Sequence, residues 1–133
     1  MLPELPHEEG MARSIVYWTN RIRQEHGLEP VIRNAELCRA AWWMAGDMYD
    51  GEYIDHTDRR GRLPHQRAWE YGYQGGCIGE NLGRGYQNVL GAIDGWMNSE
   101  GHRRNLLEPR WKEIGTGYRG TCYVQVFGVQ SCG

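Results

Sequence analysis

At 133 residues the chain has the length of one domain, enough to bury roughly two-thirds of its unfolded surface in a single core. Hydrophobic residues make up 40% and charged residues 24%, with a formal net charge of −2, so there is no electrostatic case for a nucleic-acid partner. No run approaches the roughly 18 apolar residues a membrane span requires, and 1–10, acidic and broken by Pro3 and Pro6, is unlike a signal peptide and reads as a flexible lead into the single domain 1–133.

Ala12, Ile15, Val16, Thr19 and Ile22 recur at helical spacing, and Gly27 with Pro30 closes that segment. Asn34 is placed to cap a second helix carrying Leu37, Ala41, Met44, Ala45 and Met48 on one face, ended by Gly51. Trp42 and Trp43, adjacent on that helix, must point in different directions, which puts one of them at the surface. A polar loop, 51–61, then holds His56. Pro64 suits the first turn of a short helix through Tyr71, in which His65 reads as a packing residue; His7 and His26 read as exposed. Gly72, Gly75 and Gly76 precede an extended piece over 77–82, which places Glu80 on or beside a strand.

Asn88 is placed to cap a helix with Val89, Ala92, Ile93, Trp96 and Met97 on its apolar face, and Ser99 to cap a shorter one stopped by Pro109, with His102 in its first turn. Strands over 114–118 and 121–129 are joined at Arg119-Gly120, a tight hairpin in which glycine supplies the positive φ. Apolar residues on both faces of the last strand imply a sheet covered on both sides. Helices around three strands give a layered α+β unit.

Cys38, Cys77, Cys122 and Cys132 permit two disulfides with three possible pairings, and their spacing matches no zinc ribbon. An extended strand between Cys122 and Cys132 would separate them by about 30 Å, so these two are not expected to pair. Cys38, amid apolar helix positions, fits a buried free thiol equally well.

Three pieces carry chemistry: His56 within Tyr53-Ile54-Asp55-His56-Thr57-Asp58; Glu80 within Gly79-Glu80-Asn81-Leu82, 24 residues on; and His102, a further 22 on, within the dense run from Trp96 to Leu107. With Asn20-Arg21-Ile22-Arg23, Gly27-Leu28-Glu29-Pro30, Gly46-Asp47-Met48 and Glu113-Ile114-Gly115-Thr116-Gly117, in this order, they resemble the CAP superfamily of SCP-like extracellular domains, and its bacterial branch most closely. The resemblance runs from about Asn20 to Gly128.

It implies an α+β fold, a three-layer α-β-α sandwich with a small, mainly antiparallel sheet, in a monomeric, secreted or extracytoplasmic protein whose leader is absent from this chain. Many members line one cleft with two histidines and two acidic residues and sometimes hold a divalent cation; His56 matches the first histidine and Glu80 the glutamate. Where the eukaryotic pattern has its second carboxylate this chain has Ser99, and no histidine stands near Cys122. The bacterial pattern is met instead by Gly101-His102-Arg103, preceded by Glu100 rather than the usual proline.

The expected cleft comprises His56, Glu80, Asn81, Ser99, His102 and Gln125, with His56, His102 and Glu80 as candidate ligands of a divalent cation such as zinc. The function expected is a binding or recognition module for an extracellular lipid, glycan or protein. The alternative is a metal-dependent hydrolase, peptidase-like or cell-wall-acting, with Glu80 as general base. No His-Glu-x-x-His helix and no Gly-x-Ser-x-Gly elbow supports the latter.

Overall fold

The computed structural model describes residues 7–132. Helix α1 (His7–Glu25) leads into a two-residue strand β1 (Ile32–Arg33), followed by α2 (Ala35–Gly51), α3 (Pro64–Glu70) and β2 (Cys77–Arg84). Helices α4 (Val89–Met97) and α5 (Glu100–Leu106) precede the hairpin β3 (Glu113–Arg119) and β4 (Cys122–Val129). Among the described residues four strands form the sheet where three were expected, in the order β1-β3-β4-β2, with β1 parallel to β3 and the other pairs antiparallel. The segment expected to be a flexible lead is helical from His7 onward, and 1–6 lie outside the described residues.

The three layers follow from alternation along β4. Tyr123 and Phe127 face α1, α4 and α5, meeting Ile15, Ile93, Trp96 and Leu106, whereas Cys122, Val124 and Val126 face α2 and α3, meeting Leu37, Met44, Met48 and Ala68. Each side is an apolar core, so the sheet is buried on both faces as the sequence predicts. On β3 the face toward α2 carries Gly115 and Gly117. A Cβ at either would come within 2.1 Å of Leu37 C or 2.3 Å of Ala41 O, so helix and strand meet backbone to backbone.

Asn34 and Asn88 cap α2 and α4 through their side chains, accepting from Leu37 N at 2.9 Å and Gly91 N at 2.8 Å. Gly51, expected just beyond α2, is its last residue, and Glu52 takes the left-handed conformation at φ 51°. The glycine is needed for space, because a Cβ there would meet Arg59 and Tyr53 at 2.8 and 2.9 Å. The hairpin turns at Gly120-Thr121, one residue later than expected, with Gly120 at φ 60°.

Of the tryptophan pair, Trp42 is the exposed one. His65 is exposed rather than packed, and His26 is exposed as expected; the side chain of His7 lies outside the described residues. Cys77 is bonded to Cys132, while Cys38 and Cys122 are free thiols, the first half-buried and the second buried. One disulfide forms among the described residues where two were allowed. Cys122 and Cys132 stay unpaired with each other, as the strand between them requires.

Candidate functional site

The site lies along the free edge of β2, the last strand in the sheet order. Successive side chains of β2 point to opposite faces. Glu80 therefore turns toward α3 and the 52–63 loop, and Asn81 toward α5.

Glu80 is an acceptor with both oxygens taken. His56 Nδ1 lies 2.8 Å from its Oε1 and Arg67 donates to its Oε2 at 2.7 Å, with the carboxylate side chain 1% exposed. Arg67, in α3, is itself buried, and its guanidinium also donates to Asp58 Oδ2 and to the carbonyls of His56 and Arg62, each at 3.1 Å. Asp58 closes the loop on itself, accepting from the backbone N–H of Arg60 and Arg62 at 2.8 and 3.0 Å. Burial pushes the Asp58 carboxyl up, but the donors from the Arg62 backbone and Arg67 outweigh it and hold the group below the usual carboxylate range. Sequence reading missed Arg67. The available signal was a cation one residue from Ala68 on the buried side of a short helix, which demands a carboxylate opposite.

His56 rides on this clamp, its backbone carbonyl held by Arg67 and its ring by Glu80, yet its side chain is 53% exposed. The hydrogen bond to Glu80 raises its pKa, against a smaller downward push from burial. His102, in α5, is lowered instead, by burial first and then by repulsion from His56. The two imidazoles thus differ in basicity, His56 held up by Glu80 and His102 held down by its burial and, to a lesser extent, by His56.

Ser99 stands at the N-cap position of α5 but makes no capping bond. Its Oγ lies 3.0 Å from His102 Nδ1 and sets the ring's orientation instead. Asn81 and Gln125, expected on the cleft wall, are buried beneath it. Asn81 donates to the His102 carbonyl at 3.0 Å and to Gln125 Oε1 at 3.0 Å, and Gln125 donates to Thr19 Oγ1 at 2.6 Å. That chain ties α5 through β2 and β4 to α1. Trp96, whose Nε1 donates to Leu82 O at 2.9 Å, and Trp111, stacked on Phe127, are buried anchors of the core.

Against known proteins, the profile of the CAP family, described as the cysteine-rich secretory protein family, matches residues 16–132. The chain is 34% identical over 117 residues to the uncharacterized protein YkwD of Bacillus subtilis (strain 168), covering 86% of this chain and 46% of that protein. It is 30% identical over 115 residues to the uncharacterized membrane protein YlbC of the same organism, covering 86% and 33%. It spans less than half the length of either relative. Among solved structures, an extracellular SCP-domain protein from Bacillus anthracis str. Ames superposes with TM-score 0.88 at 28% identity, over 96% of this chain and 45% of that one. An outer surface protein from Borrelia burgdorferi superposes with TM-score 0.85 at 22% identity, over 98% and 100%, a likeness of fold.

Proposed function

The chain belongs to the CAP family of cysteine-rich secretory proteins, and from that membership together with the site geometry we propose that it is a recognition module rather than a hydrolase. It works outside the cytoplasm, where the SCP-domain neighbour described as extracellular and the one described as an outer surface protein point. Its ligand, a lipid, glycan or protein, is met by His56 and His102 along the β2 edge.

The observation that carries this reading is the commitment of Glu80. A general base needs a carboxylate oxygen within reach of a water or substrate proton. Both oxygens of Glu80 are engaged, by His56 and by a buried guanidinium, and neither faces solvent. His56 and His102 have only Nδ1 spent, on Glu80 and on Ser99, so their Nε2 atoms are the polar groups available to a ligand.

A divalent cation such as zinc fits the two imidazoles by donor chemistry, but Glu80 does not fit as a third ligand. Among the described residues no cluster of three His, Cys, Asp or Glu is arranged to hold a metal. Glu80 would act as the carboxylate that orients His56 through Nδ1. Two protein ligands make the affinity weak, with a Kd of about 10 μM or above.

Calorimetric titration with zinc, on the wild type and on His56→Ala, measures this. Weak binding lost in the variant is the expected result, and identical isotherms remove His56 as a ligand. Screens of peptide and ester libraries are expected to give no turnover. Metal-dependent hydrolysis abolished by Glu80→Gln would overturn the recognition reading.

A further inference from the structure

Helix α2 carries a glycine that its packing does not require. Gly46 stands in the middle of Ala35–Gly51, where only proline is a poorer helix former, yet a Cβ there would meet nothing within 4 Å. Gly115 and Gly117, by contrast, have no room for a methyl group. What Gly46 does is keep open the floor of a surface depression of about 480 Å³, whose walls include Trp42, Trp43, Asp50, Arg60 and Arg119. Trp42, 59% exposed, is also one wall of a second depression of about 390 Å³, lined besides by Glu9, Ala12, Arg33, Arg39 and Thr116, with the Glu9 carboxylate 3.9 Å from the Arg33 guanidinium and Arg39 left, among the described residues, as the cation without a carboxylate.

The chemistry of this strip is aromatic, cationic and hydroxyl-seeking. The guanidinium of Arg60 lies 5.4 Å from the centre of the Trp43 ring and that of Arg119 lies 5.5 Å from Tyr49, so both are held over aromatic faces with their outer N–H groups free to donate. Among the described residues neither these two nor Arg39 is paired with a carboxylate within 4.0 Å. The indole of Trp42 stands uncovered between the two hollows.

We infer that this strip binds an acidic oligosaccharide, a chain of pyranose rings bearing carboxylates, with one ring stacked on Trp42 and its neighbours in the two depressions. The apolar C–H face of a pyranose matches an exposed indole, and ring hydroxyls match Asp50 and the guanidinium edges. The carboxylates meet Arg60 and Arg119 on one side of Trp42 and Arg39 on the other. The second hollow also has apolar walls, at Ala12, Ala35 and Cys38, but a lipid chain laid there would leave the guanidiniums of Arg39, Arg60 and Arg119 without a counter-charge, which an acidic sugar supplies. A flat protein interface would have no use for the open floor at Gly46. Arg60 shares the 52–63 loop with His56, its backbone N–H donating to Asp58, but no side chain lining either hollow bonds to His56, Glu80 or His102, so sugar binding here and ligand binding there can each fail without the other.

Titration of the whole chain with hyaluronan hexasaccharide, followed by calorimetry and tryptophan fluorescence, tests it, with the neutral chitin hexasaccharide as comparison. The acidic sugar binds the wild type and weakens in about 0.5 M salt, while the neutral one binds at least about tenfold less well. Trp42→Ala lowers affinity by about tenfold or more, and Arg60→Gln with Arg119→Gln by a similar factor. Gly46→Leu abolishes binding while raising the melting temperature, because it fills the floor and improves the helix. His56→Ala leaves the sugar isotherm unchanged. No binding by the wild type, equal affinity for the two sugars, or a Gly46→Leu or Trp42→Ala variant that melts cooperatively and binds like the wild type would each overturn the inference.

Discussion

Arg67 is the residue on which the site depends most. Its side chain is 1% exposed and serves two buried carboxylates, so its removal leaves Asp58 with Arg62 alone and Glu80 with the half-exposed His56 alone to offset their buried charges. Arg67→Met is expected to lower stability by about 3–5 kcal/mol in urea denaturation at neutral pH, far more than any exposed pair such as Arg104 with Glu100. His56 gives a pH signature. Its folded pKa is raised above the unfolded value of about 6.5, so its contribution is fully present below that pH and is lost as pH rises through the folded pKa. His102 is lowered and has the opposite sign: its contribution is present above about 6.5 and is lost as pH falls. The gap in melting temperature between wild type and His56→Ala is therefore expected to be widest near pH 5–6 and to shrink to a constant remainder in the alkaline range. A gap that widened with pH would show that the ring pairs with something other than Glu80.

At the scale of elements, the helices were legible because their apolar residues recur at helical spacing and two asparagines cap them. Strand β1 was not, since Ile32 and Arg33 are too few to alternate, are both exposed, and are defined by parallel pairing with β3, far along the chain. The disulfide was hidden for a related reason. Cys77 meets Cys132 because β2 pairs antiparallel with β4, setting Cys77 opposite Val129, and no local spacing encodes that register. The site divides the same way: His56, Glu80 and His102 stood out as polar residues in motif-like runs, whereas Arg67 was concealed on a helix face that looks ordinary. Non-reducing peptide mapping should recover one Cys77–Cys132 bridge, and iodoacetamide should label half-buried Cys38 in the native protein but Cys122 only after unfolding. Reduction of the bridge is expected to cost about 2–4 kcal/mol.

For the whole molecule, the large apolar side chains left in solvent among the described residues are spread along the fold: Tyr17 on α1, Ile32 on β1, Trp42 and Tyr49 on α2, Ile54 and Leu63 in the loop after it, Trp69 on α3 and Leu90 on α4. Dispersed residues do not make the contiguous patch that a stable self-interface needs. Sedimentation equilibrium at micromolar concentration is expected to give the mass of one chain, and a concentration-dependent rise would show that two of these residues join in a common face. The glycine contact between β3 and α2 bears on movement. Where packed helices slide over a sheet they do so on interlocking side chains that exchange rotamers, and at Gly115 and Gly117 there are none, only main chain against main chain. The helix cannot glide or roll there without main chain colliding with main chain. Any adjustment that accompanies a ligand's arrival at the β2 edge therefore leaves α2 seated on β3 and falls on the parts of the fold outside that contact.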